Sequence, residues 1–91
     1  MPAIAYALEA PACLVFDGRK ADVGATVYRA LALLANKGGS APITEICQDV
    51  WNVPEVARRS VHSLVHRVNE KLDAVGCDLR CAVDGPEMRL Y

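Results

Sequence analysis

Pro54-Glu55-Val56-Ala57-Arg58-Arg59-Ser60-Val61-His62-Ser63-Leu64-Val65-His66-Arg67-Val68-Asn69-Glu70-Lys71-Leu72-Asp73-Ala74 is the longest stretch of this sequence with one unbroken period. Ala57, Val61, Leu64, Val65, Val68 and Leu72 fall on one stripe when residues are placed 100° apart, the spacing of an amphipathic helix. Arg59, His62, Ser63, His66, Arg67 and Glu70 fall on the opposite side or its flanks. Pro54 suits a first helical turn, where a missing N–H costs nothing, and Gly76 closes the element. The stretch predicts a helix over 54–74.

Outward from this helix the period repeats twice. Val27, Leu31, Leu34 and Ala35, widened by Ala30 and Leu33, give a helix over 25–36. Lys37 complements its C-terminal dipole, and Gly38-Gly39 stops it. Ile43, Ile46, Cys47 and Val50 give a shorter helix over 43–51, with Pro42 near its first turn and Thr44 or Ser40 as its cap. Both ends of the chain read as extended. Ala12 to Phe16 and Arg19 to Val23 flank Asp17-Gly18, a strong hairpin signal, and residues 3–8 add a further strand. Asp78 to Val83 and Glu87 to Tyr91 flank Asp84-Gly85-Pro86, with Met88 and Leu90 alternating against Glu87 and Arg89. Strands at both ends and three helices between them make an α+β domain. It fills residues 1–91: N-terminal strands over 1–23, a three-helix core over 25–74 and a hairpin over 77–91.

Bulk properties bound the function. The chain has 91 residues, 53% hydrophobic and 23% charged, a globular rather than a disordered composition. No apolar run approaches the roughly 20 residues that span a bilayer. The apolar start lacks a basic leader, so the expected location is the cytoplasm, with reduced thiols. Cys13, Cys47, Cys77 and Cys81 show no CxxC spacing and read mainly as small buried apolar residues, a Cys77–Cys81 disulfide or a shared metal being the other option. His62, His66 and Glu70 line one side of a helix, but the third lies two turns from the first and reaches a shared metal poorly. No metal or other cofactor is expected. No catalytic Ser-His-Asp or Cys-His arrangement and no phosphate-cradling glycine loop can be placed, so the chain does not read as an enzyme. The net charge of −1 argues against nucleic-acid binding by the surface as a whole, though binding depends on a local patch.

Three segments in order resemble the OmpR/PhoB-type effector domain of bacterial response regulators, a winged helix-turn-helix. Val27-Tyr28-Arg29-Ala30-Leu31-Ala32-Leu33-Leu34-Ala35 with Gly39 is similar to that family's first helix. Ile46 with Val50-Trp51 looks like the end of its second. Arg59-Ser60-Val61, Val65, Arg67 and Lys71-Leu72 follow its third. The resemblance runs from about Leu14 to Leu90. It implies a third helix lying in the major groove of double-stranded DNA and a C-terminal hairpin, the wing, reaching the minor groove. It places Trp51, Arg59 and Ser60 at phosphate-facing positions, and His66, Arg67 and Asn69 where bases or backbone are touched. Arg58, with Arg80 and Arg89 of the hairpin, adds to the electrostatic term; His62 and Ser63 face base edges.

Departures from the family point elsewhere. Leu64 stands where His is common, and Asn69 and Glu70 stand where Arg and Lys are common. The link from Asn52 to Val56 is short, and the hairpin carries Asp84 and Glu87. No receiver domain is expected before the module, so a separate protein partner could supply regulation. A homodimer is the expected working unit, because one domain this small covers one half-site. The rival reading is a winged-helix protein–protein interaction or oligomerisation module that has abandoned DNA. The bland reading of the long helix is a solvated face with Arg67 and Glu70 paired at i, i+3.

Overall fold

Asp17 and Gly18 both take positive φ, 50° and 77°, the conformation that a two-residue hairpin matched to the right-handed strand twist requires. Across this turn β2 (Cys13–Phe16) pairs antiparallel with β3 (Arg19–Asp22), Phe16 opposite Arg19. The computed structural model describes residues 6–91. The strand expected over 3–8 is thus partly outside the described residues, and the strand observed, β1, is Ala7–Glu9. It pairs with β2 to give a sheet of order β1-β2-β3. Leu14, at the centre of this sheet, is fully buried.

The first helix, α1 (Gly24–Asn36), buries Val27, Ala30, Leu31 and Leu34. Its end is closed as the double glycine predicts. Gly38 and Gly39 take positive φ, and the Gly39 N–H donates to the Leu34 carbonyl at 2.6 Å. Residues 40–42 depart from expectation. Ser40 or Thr44 reads as the cap and Pro42 as a residue near the first turn; Pro42 does stand immediately before α2, but Thr44 lies inside the helix and Ser40–Pro42 is a strand, β4, paired with β6 (Glu87–Leu90). The Ser40 hydroxyl donates to Glu87 Oε1 at 2.7 Å rather than capping a helix. The next helix, α2 (Ile43–Trp51), starts without a side-chain cap. Its first N–H, on Ile43, donates instead to the Pro86 carbonyl at 2.8 Å. Asn52, in the left-handed region at φ 59°, ends it.

The long helix, α3, is Arg58–Ala74, shorter at its start than the 54–74 expected. Ala57 is extended (ψ 142°) and exposed, not part of the buried stripe. Pro54 lies before the helix, and half-buried Val56 packs on the core from the non-helical link. Tertiary packing of Val56 thus overrides a local preference that allowed the helix to begin earlier. The buried stripe is Val61, Leu64, Val68 and Leu72, with Val65 half-buried.

Beyond Gly76, β5 (Cys81–Asp84) pairs with β6 across a turn at Gly85, and the second sheet has order β4-β6-β5. The strand expected over 78–83 starts later and ends one residue further on. Residues 78–80 lead into it, and Arg80 exchanges both backbone hydrogen bonds with Tyr91 at 2.9 Å. Along β6, Met88 and Leu90 are buried while Glu87 and Arg89 are exposed, the expected alternation.

Among the described residues, three helices and two small antiparallel sheets make an α+β fold. Leu14, Leu31, Leu34, Ile46, Leu64, Leu72 and Met88, drawn from both sheets and all three helices, meet in one hydrophobic core. The radius of gyration, 12.0 Å, equals the roughly 12 Å expected of a folded chain of this length. No charged side chain is buried among the described residues. Cys47, Cys77 and Cys81 are buried and Cys13 is half-buried, so most thiols serve as small core groups. Burial pushes the Cys81 thiol up to about 12, which keeps it protonated and unreactive at neutral pH. Burial also raises the phenol of Tyr6, whose hydroxyl donates to the Leu31 carbonyl at 2.6 Å.

Candidate nucleic-acid interface

Four buried side chains fix the rotation of α3 about its axis. With Val61, Leu64, Val68 and Leu72 turned inward, the 100° spacing turns Arg59, His62, Ser63, His66, Arg67 and Glu70 outward. All six are exposed. From Arg58 to Arg67 the helix carries three arginines, two histidines and no carboxylate. Its first turn holds no acidic residue and its N-cap no side-chain hydrogen bond. The unpaired N–H groups of that turn add the positive end of the helix dipole to the arginines.

A cleft of about 360 Å³ runs beside this helix, between the end of α2 and the first turn of α1. Leu64 is its apolar floor, half-buried Trp51 one wall, and Arg59, Ser60, Ser63 and Arg67 line it from α3. Five residues singled out from the sequence are therefore gathered in one place. Two guanidinium groups and two hydroxyls around a concave opening suit an anion, for which Arg provides bidentate donors. Thr26, from α1, completes the lining. Its place there was not legible beforehand, because nothing in the spacing of α1 links its first turn to α3. Tyr28, by contrast, packs half-buried against the core.

The other candidates lie apart from this cleft. Arg58 and His62 face a second groove, floored by Ile43, Val56, Val61 and Val83 and bounded by Glu55 and Gly85. His66 projects freely, its side chain 75% exposed, with Nε2 3.9 Å from Glu70 Oε2. That contact replaces the expected Arg67–Glu70 pair, which does not form. Asn69 does not face outward. Its amide donates to the Cys81 carbonyl at 3.0 Å and accepts from the Cys81 N–H at 2.7 Å, docking β5 onto α3. The hairpin arginines are also engaged within the chain. Arg80 donates to the carbonyls of Leu79 (2.9 Å) and Cys77 (3.3 Å) and lies 3.5 Å from Asp73. Arg89 is bound to Asp84 at 2.7 Å. Arg58, Arg59 and Arg67 have no ion pair among the described residues.

No helix of the described residues is long and apolar enough to cross a membrane. No family model, no curated protein and no solved structure matches this chain.

Proposed function

We propose that this chain is a winged helix-turn-helix DNA-binding domain of the kind its sequence resembles, the OmpR/PhoB-type effector domain, and acts in transcription regulation. In this reading α2 and α3 form the helix-turn-helix, α3 enters the major groove, and the β5–β6 hairpin is the wing. One observation carries it: the three arginines of α3 have no carboxylate partner, and two of them share a cleft with Ser60, Ser63 and Trp51. The net charge of −1 does not oppose this. Some acids elsewhere have their own basic neighbours, Glu9 pairing with Lys20 at 2.7 Å and Glu45 with Lys37 at 3.1 Å. Residues 58–67 hold three arginines and no carboxylate, and counterion release from DNA depends on local phosphate contacts. The test is fluorescence anisotropy of a labelled duplex titrated with the protein over a salt series. Binding that weakens steeply with salt is expected. Absence of binding even at low salt would overturn the reading.

A second reading, a winged-helix protein-interaction module, draws on the hairpin. Its arginine is neutralised by Asp84, and Val83 is exposed beside the apolar groove under Arg58 and His62. In that case charge reversal at Asp84 and Glu87 disturbs a protein complex more than changes on α3 do.

A further inference from the structure

The outward face of α3 changes sign along its length. Arg59, Ser63, His66 and Glu70 follow one line down the helix, so the face that begins with a guanidinium ends in a carboxylate. Glu70 is 60% exposed, and the imidazole Nε2 of His66 stands 3.9 Å away, too far for a hydrogen bond. Arg67, one turn earlier, and Lys71 line the same shallow cleft against the start of α1 as Glu70 does, yet neither cation forms an ion pair with it. Arg67 and Glu70 are left free to face a ligand.

A free carboxylate on a helix set into a groove walled by phosphates is repelled by them, and it can only accept hydrogen bonds. The major groove offers it few donors. Guanine presents acceptors at N7 and O6, and thymine an acceptor at O4; the exocyclic amines of cytosine and adenine alone donate. Cytosine fits an acceptor-only group best, because adenine sets an acceptor, N7, beside its amine. A guanidinium one turn away complements the guanine edge, which carries two acceptors. Resting on the DNA-binding reading above, we propose that Glu70 is a specificity-determining residue that selects cytosine, and that it works with Arg67 to favour G·C pairs over A·T at adjacent positions of the site. Repulsion contributes to this selectivity: at a base lacking a donor, the carboxylate is left unpaired among phosphates.

The experiment is selection from a randomised duplex pool, followed by competition binding with single-base variants of the selected site, for wild type, Glu70→Gln and Arg67→Ala. Wild type should select a fixed cytosine. Glu70→Gln should lose about tenfold of the preference at that one position, while binding to mixed-sequence DNA becomes tighter. Arg67→Ala should relax a neighbouring guanine. Thermal melts confirm that the variants fold, as expected for exposed side chains. If Glu70→Gln tightens binding to all sequences and leaves every base preference intact, Glu70 is a repulsive surface charge only and the proposal fails. If wild type binds duplex without base preference, the proposal fails while DNA binding stands. If wild type binds no duplex, both fall.

Discussion

Helix α3 and the β5–β6 hairpin with its lead-in both carry arginines, but only α3 leaves them available. Arg58, Arg59 and Arg67 lack a carboxylate partner among the described residues, whereas Arg80 is held by two carbonyls and Asp73, and Arg89 by Asp84. Counting cations element by element would rank the two regions as near equals. Their pairing separates them, because a guanidinium already hydrogen-bonded must give up that partner before it can gain from a phosphate. Free donors therefore mark α3 as a candidate binding face, which the net charge of −1 does not reveal.

Breaking the support of α3 should have the largest effect. Leu64 is 1% exposed and floors the arginine cleft. Leu64→Ala is expected to cost about 2–5 kcal/mol of stability in chemical denaturation, while its neighbour Ser63→Ala changes stability by less than about 0.5 kcal/mol. Similar costs at both positions would mean that α3 is not rotated as described.

The seam between the two regions comes next. Asn69 joins them with two hydrogen bonds to the backbone of Cys81. Asn69→Ala should lower stability by about 1–3 kcal/mol, the cost of leaving backbone groups unsatisfied. An Asn69 variant of unchanged stability but altered base preference would instead make it a DNA-reading residue, as the family resemblance implies.

Alkaline pH should weaken the hairpin's anchorage too. Cys81 is pushed from its ordinary 9.0 up to about 12 in the folded chain. The unfolded chain therefore loses this proton first. The stabilisation is fully present below pH 9 and is lost as pH rises from 9 towards 12. Melting temperatures of wild type should fall through that range, and Cys81→Ala should flatten the early part of the fall. An equal slope in the variant would show that Cys81 does not drive it. The smallest effect is at the hairpin surface. Arg89→Ala breaks an exposed pair and should cost under about 1 kcal/mol.

The same two regions divide what was legible in the sequence. The stripe of α3 from Val61 to Leu72, the Asp17-Gly18 turn and the alternation of β6 follow from period and turn chemistry alone and appear as read; Ala57, read as the first residue of the stripe, is exposed before the helix. The start of α3 was not legible, because Val56 is drawn to the core by tertiary contacts that local propensity does not carry. Nor was β4, three residues whose strand character depends on β6, more than forty residues later and paired with it. In the candidate site the outward residues of α3 follow from its stripe. The inward turn of Asn69 and the capture of Arg80 and Arg89 depend on where the hairpin docks, which no helical period reveals.

The central claim, that α3 rather than the hairpin supplies the phosphate contacts, is tested most directly by the salt slopes of two single variants. In duplex-binding titrations over a salt series, Arg59→Ala should lower the magnitude of the slope of log K against log salt by about one, and Arg89→Ala should leave it unchanged. A reduced slope for Arg89→Ala with an unchanged slope for Arg59→Ala would contradict the account.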